Sequence, residues 1–287
     1  MVILCADTFT PRYGKKGLTT HEGLEPTWGV NYLANFHLLS ILSPALRAQP
    51  ADRDVRIIFS TCASYLGGDL TSLQDTCAPL PPGRKYATSK LATMVFARAF
   101  QTHLDAYARP DKQPNNARVM LVDPGFARTP GTRRWLTMGS LWGLGLYLLM
   151  WPFWWLVLKS PVQGAQSFLR AAMEAELGRG VGGRFVKECR EGEVMRAEVG
   201  DEGVAKRLWE LSERQIEALE KEGAVKRAVA KKEEEKGRKG EHSGSSAGKE
   251  QERPAGRIEE MAEDEKTEGT TPAAQKQKTG SRKSRKA

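Results

Sequence analysis

The sequence predicts an α/β fold built on a mostly parallel sheet, and two observations lead to this prediction. Short apolar runs, typical of buried strands, alternate along the chain with longer stretches in which apolar residues recur at helical spacing. A helix between two strands provides the long crossover that parallel pairing requires. With 287 residues, the chain is long enough for one large domain of this class and too long for a disulfide mini-fold.

Four strands are predicted, at residues 2–4, 55–60, 117–122 and 183–189. Each is a short run rich in β-branched or aromatic residues, as is typical of strands buried within a sheet. The second ends in small polar residues, and Asp123-Pro124-Gly125 breaks the third.

Four helices are predicted between and after these strands, at residues 21–47, 84–104, 161–177 and 201–227. Pro50 follows the first helix, and Pro161 stands in the first turn of the third, where proline is favoured. The last helix is amphipathic, because Val204, Leu208 and Leu211 fall on roughly one side.

The formal net charge of +9 is unevenly distributed along the chain. Residues 229–287 hold 15 Lys and Arg, 12 Asp and Glu, and no Trp, Phe, Tyr or Cys, so we expect a disordered tail. Residues 1–228 hold 29 basic against 23 acidic side chains, a mild excess that predicts no nucleic-acid partner. The basic end, residues 276–287, could contact nucleic acid or an anionic membrane, but a solvated tail is the favoured interpretation.

The four cysteines, at positions 5, 62, 77 and 189, form no CxxC pair and no zinc-ligand spacing with histidine. This pattern excludes a disulfide framework, predicts no metal site and favours a reducing compartment. The short apolar run after Met1 lacks the basic region of a signal peptide.

Residues 135–158 form a hydrophobic segment without a single charge, bounded by Arg133-Arg134 and by Lys159. A transmembrane helix needs about 20 apolar residues, but a single crossing would put strands of one sheet on opposite sides of a membrane. We therefore predict a helix or bent hairpin lying in one leaflet, with Gly143, Gly145 and Pro152 providing the bend. The alternative is a buried core helix or a lid over a lipophilic pocket.

Tyr86 and Lys90 are the strongest candidates for chemistry. They are four residues apart on a predicted helix, so they share one face. A phenol ionises near pH 10, and a neighbouring ammonium favours its charged form and lowers its pKa. The pair is therefore a candidate proton donor with its tuning cation, although surface helices also carry this spacing by chance.

Other motifs surround this pair: Gly29-Val30-Asn31-Tyr32-Leu33, Ser60 to Gly67, Asp123 to Thr129, Gly164-Ala165-Gln166-Ser167 and Gly182 to Cys189. In order and context they resemble the short-chain dehydrogenase/reductase family, over about residues 1–190. The 25-residue step from Thr61 to Tyr86 is similar to the gap of the retinol-dehydrogenase-like branch. With its hydrophobic segment, the chain resembles the fungal lipid-droplet and endoplasmic-reticulum oxidoreductases of that branch. The resemblance implies a Rossmann-like fold.

The resemblance also implies catalytic roles. Tyr86 would be the general acid/base, Lys90 would lower its pKa, and Asn31 would keep a water in the proton relay. Thr61 stands where the family has the serine that steadies the substrate carbonyl, and Ser60 is the alternative.

The implied cofactor is NADP, with NAD as the alternative. Tyr86 and Lys90 would hold the nicotinamide ribose, and Pro124, Gly125 and Thr129 match the loop that receives the nicotinamide end.

The Gly-rich turn that holds the cofactor pyrophosphate in this family is missing near the start of this chain. Met1 falls at the family's fourth strand, so we expect an N-terminal truncation of about 80 to 90 residues. Cys5-Ala6-Asp7 stands in place of the family's Asn-Ala-Gly. A carboxylate at position 7 is unfavourable unless it finds a donor, and we expect the chain alone to bind the cofactor poorly.

These expectations combine into one layout: residues 1–134 and 159–228 form the C-terminal half of a Rossmann-like dehydrogenase domain, 135–158 a membrane-associating insert, and 229–287 a disordered tail. The predicted function is oxidoreduction of a small lipophilic alcohol or carbonyl compound at the cytosolic face of the endoplasmic reticulum or of lipid droplets. The alternatives are a catalytically inactive, lipid-anchored interaction protein and an adaptor that binds nucleic acid through its basic tail.

Overall fold

The computed structural model describes residues 1–9, 19–20, 22–71 and 80–244, without the side chains of residues 230 and 232–244. The chain divides into two compact units, Met1–Lys232 and Glu233–Ala287. The sheet, every candidate site residue and the helices up to residue 232 of α9 belong to the first unit.

The described residues contain five strands: β1 (Val2–Leu4), β2 (Val55–Ser60), β3 (Ala117–Asp123), β4 (Arg184–Lys187) and β5 (Arg190–Gly192). They form one sheet in the order β1-β2-β3-β4-β5. The pairs from β1 to β4 are parallel, and β5 returns antiparallel to β4. The predicted α/β parallel sheet is confirmed.

The hairpin between β4 and β5 differs from the prediction of a single strand at 183–189. Glu188 and Cys189 make a two-residue turn in which both residues have positive φ, 50° and 62°. Such turns normally use Asn or Gly, so the sequence gives no signal here. Two hydrogen bonds to other elements stabilise the turn. The Glu188 N–H donates to the Asp123 carbonyl, and the Cys189 N–H donates to the Ser167 hydroxyl.

The helices described are α1 (Pro26–Trp28), α2 (Ala34–Arg47), α3 (Pro82–Asp105), α4 (Pro130–Thr137), α5 (Leu141–Leu149), α6 (Trp151–Val157), α7 (Pro161–Met173), α8 (Ala175–Arg179) and α9 (Glu202–Gly244). A π-helical turn, Gly29–Leu33, joins α1 to α2. The first predicted helix thus begins at Pro26 rather than at residue 21, which lies outside the described residues.

The last helix is longer than predicted, since α9 continues through residues 229–244, which the sequence assigned to the disordered tail. Lys, Glu, Arg and Ala dominate this stretch and are strong helix formers, and the first proline comes only at position 254. Residues 245–287, with the basic end at 276–287, lie outside the described residues.

The core lies on both faces of the sheet, as continuous apolar strands require. On one face, Ile57, Phe59 and Leu121 pack against α2, α3 and α9. On the other face, Ile58 and Met120 belong to a smaller cluster that α7 and α8 complete. Successive residues of β2 therefore point to opposite layers, the arrangement that a period of two dictates.

The two ends of the hydrophobic segment are joined by an isolated β-bridge next to the sheet. Ala127 forms a parallel bridge with Lys159, and the Arg128 and Lys159 amides each donate to a carbonyl of the other strand. The two ends of the segment therefore lie next to each other and would lie on the same side of a membrane, as the sheet topology requires. Within the described parts of the chain, no helix combines the length and the apolar character needed to span a membrane.

Inside this segment, Met150 separates α5 from α6, and Pro152 stands in the first turn of α6. Gly143 has a different role from the one predicted: a Cβ there would collide with the backbone of Thr137, so this glycine lets α5 pack against the end of α4. The alternative of a buried core helix is wrong, because α6 buries none of its residues and α5 buries only Tyr147.

Candidate active site

The candidate residues collect at the carboxyl ends of the parallel strands, the edge at which α/β sheets bind their ligands. Asp7 follows β1, Cys62 follows β2, and Gly125 follows β3. Helix α3 carries Tyr86 and Lys90, which reach the same edge one helical turn apart.

Asp7 joins the two residues of the predicted pair through one carboxylate oxygen. The Tyr86 hydroxyl donates to Asp7 Oδ2 over 2.6 Å, and Lys90 Nζ lies 3.0 Å from the same oxygen. Lys90 also donates to the Ser60 carbonyl, at 3.2 Å, and is only 3% exposed. The exposed carboxylate at position 7 thus accepts from two donors, and the buried Lys90 has the counter-charge that burial of an ammonium demands.

The pKa of Tyr86 is shifted opposite to the predicted direction. Burial raises the pKa of the phenol first, and the neighbouring Cys62 and Asp7 raise it further. The sequence predicted that Lys90 would lower this pKa, but Lys90 is paired with Asp7, which adds a negative charge beside the hydroxyl. In this arrangement Tyr86 is held as a protonated donor.

Cys62, rather than Thr61 or Ser60, faces the Tyr86 hydroxyl. Its Sγ lies 3.7 Å from that oxygen. The Thr61 hydroxyl is buried and has no hydrogen-bond partner among the described residues, and the Thr61 amide donates to the Val122 carbonyl. Cys62 was not among the predicted site residues, because the family has the hydroxyl of a serine at this position.

Asn31 lies in the π-helical turn, a feature often found at functional sites. Its carboxamide accepts from the Thr8 amide at 2.7 Å and donates to the Thr8 carbonyl at 2.9 Å. It also donates to the Ser89 hydroxyl at 3.2 Å, one residue before Lys90. Asn31 therefore fixes the backbone next to Asp7 and ties it to α3.

The loop after β3 contains the other predicted cofactor residues. Gly125 has a φ of +74° and its N–H donates to Asp123 Oδ1 at 2.8 Å, so the turn requires its conformation. Gly164 of α7 packs beneath this loop, where a Cβ would lie 3.1 Å from the Ala127 Cβ and 3.7 Å from the Pro124 Cβ. Thr129 caps α4, because its hydroxyl accepts from the Thr132 amide.

Several curated proteins are similar in sequence to this chain. An uncharacterized oxidoreductase of Schizosaccharomyces pombe is 40% identical over 227 residues, which cover 77% of this chain and 60% of that protein. Mouse polyprenol dehydrogenase is 36% identical over 66% of this chain and 53% of its own length. Mouse retinol dehydrogenase 13 is 31% identical over 69% of this chain and 55% of its own length.

The chain belongs to the short-chain dehydrogenase/reductase family. These relatives also confirm the likeness to the retinol-dehydrogenase-like branch. No family model matches the sequence. The chain spans between half and two thirds of the length of the relatives it matches.

The donor set of this short-chain dehydrogenase/reductase site suits the ribose of a nicotinamide cofactor. Tyr86 and Lys90 present two donors that meet at one point, where Asp7 Oδ2 accepts from both. A ribose diol offers two hydroxyl oxygens to such a pair. The residues that could hold the cofactor are thus Tyr86 and Lys90, together with the loop at Pro124 and Gly125.

We expect replacement of Asp7 by asparagine to lower the free energy of unfolding by about 1–3 kcal/mol, because the buried Lys90 ammonium loses its counter-charge. Urea unfolding followed by circular dichroism measures the change. Asp52→Asn, at an exposed turn, is the matched control and should leave the transition where it is. Equal stability of Asp7→Asn and the unmodified chain would show that the contact contributes nothing.

Proposed function

We propose that this chain carries the catalytic half of an NAD(P)-dependent oxidoreductase that interconverts a lipophilic alcohol and its carbonyl compound. The observation that carries the proposal is the convergence of Tyr86, Lys90 and Cys62 at the carboxyl edge of the sheet. NADP is the proposed form of the cofactor, and NAD is the alternative.

The chemistry needs one hydride and one proton. The hydride would come from a bound nicotinamide to the carbonyl carbon, or return to it in the reverse direction. Tyr86 gives its hydroxyl proton to the carbonyl oxygen, a role that suits a phenol held protonated by its surroundings. Lys90 holds the ribose, and Asn31 positions the segment of Asp7 and Thr8 and, in the proposed relay, a water.

Cys62 is the proposed substrate-side donor, in place of the hydroxyl expected at Thr61. A thiol is a weaker donor than a hydroxyl, but it lies against the same Tyr86 oxygen that would meet the substrate. Thr129 is also a proposed cofactor-loop residue, and in addition it caps the N-terminus of α4.

Two observations support a lipophilic substrate: the names of the relatives and the hydrophobic segment at the protein surface. Two relatives are named for polyprenol and retinol, which are long apolar alcohols. The hydrophobic segment 135–158 follows the cofactor loop, so a substrate could enter directly from lipid. We therefore propose attachment to the cytosolic face of the endoplasmic reticulum or of lipid droplets.

The proposed domain layout follows from these assignments. Residues 1–134 and 159–228 form the catalytic half, residues 135–158 are the membrane-associating insert, and residues 229–287 are the tail, whose first part is helical.

A turnover assay tests the proposal. Retinol or a polyprenol in lipid vesicles is mixed with the full 287-residue chain and NADP, and reduced nicotinamide is followed by absorbance. Formation of retinal or polyprenal together with reduced nicotinamide supports the proposal. Because the chain alone is expected to bind the cofactor poorly, NADP and NAD are raised to saturation. A folded chain without turnover under these conditions contradicts the proposal.

We expect Cys62→Ala to lower kcat/KM about tenfold, since the substrate carbonyl loses one weak donor. Cys62→Ser should equal or exceed the unmodified chain, because a hydroxyl is the stronger donor. Steady-state kinetics on both variants measure the difference. Cys189→Ala, which removes a thiol that contacts Ser167 instead, is the control. Unchanged kinetics in Cys62→Ala would exclude Cys62 from the substrate side.

One observation favours a second candidate, a catalytically inactive and lipid-anchored interaction protein. Asp7 occupies both donors that the ribose needs. Thermal unfolding with and without NADPH separates the two candidates, because a ligand that binds the folded state raises its Tm. Protection by NADPH supports the enzyme, whereas its absence in both the unmodified chain and Asp7→Asn supports the inactive protein.

A further inference from the structure

Helices α5 and α6 expose an apolar ridge, defined here as residues 141–157. Trp142 is 91% exposed and Leu156 is 80% exposed, and Leu141, Leu149, Trp151 and Trp155 are also open to solvent. A continuous apolar patch on a protein surface is typical of a site that binds a membrane or another apolar partner. Helix α5 has nine residues, a length of about 14 Å, so it can lie in one leaflet and cannot cross a bilayer core of about 30 Å.

The charged residues of the sequence stretch that contains the ridge are all of one sign, although Lys159 and Arg170 pair with Glu188 and Glu174 outside it. The fifty residues from Pro124 to Met173 contain no Asp or Glu. They contain five cations, at Arg128, Arg133, Arg134, Lys159 and Arg170. A stretch that is apolar at its centre and cationic at its ends is typical of helices that lie in the interface of an anionic bilayer.

The cations flank the ridge at both ends. Arg133 and Arg134 are exposed on α4, against which α5 packs through Gly143. Neither arginine forms an ion pair with any residue that the structure describes. At the other end, the Arg128 guanidinium lies 5.3 Å from the ring centre of Trp155 and so meets the ridge directly.

We propose that the apolar ridge and its arginines bind the surface of a bilayer that contains anionic phospholipids. The apolar side chains of α5 and α6 enter the acyl region, and the tryptophans lie at the headgroup level. Arg133 and Arg134 neutralise lipid phosphates and serine carboxylates. The inference deepens the proposed lipid attachment and names its partner, and it does not depend on the proposed hydride transfer.

A lipid partner fits this surface better than a nucleic acid or a protein. The ridge is built from Leu, Trp, Phe and Val and offers few hydrogen-bond donors to bases or peptides. The long-range attraction of an anionic bilayer contributes a factor of about five in binding for each cation near its surface. Removing two such cations therefore has a large and measurable effect.

Sedimentation with sucrose-loaded vesicles tests the proposal, using the full chain and two lipid compositions. One set contains phosphatidylcholine alone, and the other contains phosphatidylcholine mixed with phosphatidylserine. The variant R133Q/R134Q removes the two unpaired arginines. The control K206Q/R207Q removes two adjacent exposed cations from α9.

We expect R133Q/R134Q to bind the phosphatidylserine vesicles about thirtyfold more weakly than the unmodified chain, and the phosphatidylcholine vesicles equally well. K206Q/R207Q should behave as the unmodified chain. Equal binding of the unmodified chain to both vesicle types, or equal losses in both variants, would overturn the anionic-surface proposal. Binding to RNA without binding to vesicles would overturn it as well. Since the assay involves no cofactor and no turnover, these outcomes leave the proposed reaction to be judged by its own assay.

Discussion

Replacement of Tyr86 by phenylalanine is expected to lower kcat of the proposed reaction by about a hundred- to ten-thousandfold, because the substrate oxygen loses its proton donor. The aromatic ring and its edge contact with Phe9 remain, since only the hydroxyl is removed. Asp7 keeps Lys90 as its partner, so the variant should remain folded. Steady-state kinetics with retinol or a polyprenol, together with circular dichroism, measure both properties.

Tyr107→Phe is the matched control for Tyr86→Phe. Tyr107 is partly exposed and lies against the Arg47 guanidinium, away from the residues assigned to chemistry. Its loss of a hydroxyl should leave kcat unchanged. If Tyr86→Phe retained the activity of Tyr107→Phe, Tyr86 would not be the acid/base and the catalytic assignment would fail.

Phe96→Ala is expected to have the largest effect on stability, a loss of about 3–5 kcal/mol in the free energy of unfolding. Phe96 is 2% exposed and lies at the centre of an aromatic cluster between the sheet and its helices. Its ring centre lies 5.0 Å from that of Phe36, 5.6 Å from that of Trp209 and 6.0 Å from that of Phe59. Truncation opens a cavity that joins α2, α3, α9 and β2.

Urea unfolding followed by tryptophan fluorescence measures this loss, because Trp209 belongs to the same cluster. Phe126→Ala is the control, since Phe126 is well exposed and lies in the loop after β3. It should change the transition by less than about 0.5 kcal/mol. Similar losses in the two variants would mean that the aromatic cluster is not the centre of the core.

Local patterns were sufficient to predict the sheet and the Tyr86–Lys90 pair. Continuous apolar runs identified β1, β2 and β3, and in β2 and β3 these runs reflect burial on both faces of the sheet. Helical spacing placed Tyr86 and Lys90 on one face of α3, because that relation depends only on four residues of helix.

The remaining features depend on contacts between distant parts of the chain. The carboxylate that meets Tyr86 comes from Asp7, 79 residues earlier, so its effect on the phenol pKa could not be derived from the spacing to Lys90. Cys62 rather than Thr61 contacts Tyr86 because the backbone after β2 directs the Cys62 side chain towards α3. The turn at Glu188 and Cys189 depends on acceptors at the end of β3 and in α7.

Transfer of deuterium from nicotinamide to product tests the central claim most directly. The full chain is incubated with NADPH that carries deuterium at its transferable position and with retinal in vesicles, and the retinol formed is analysed by mass spectrometry. We expect one deuterium on the former carbonyl carbon, with formation of the labelled alcohol abolished in Tyr86→Phe. Unlabelled retinol, or no retinol from a folded chain supplied with either NADPH or NADH, would contradict the assignment of this site to hydride-transfer chemistry.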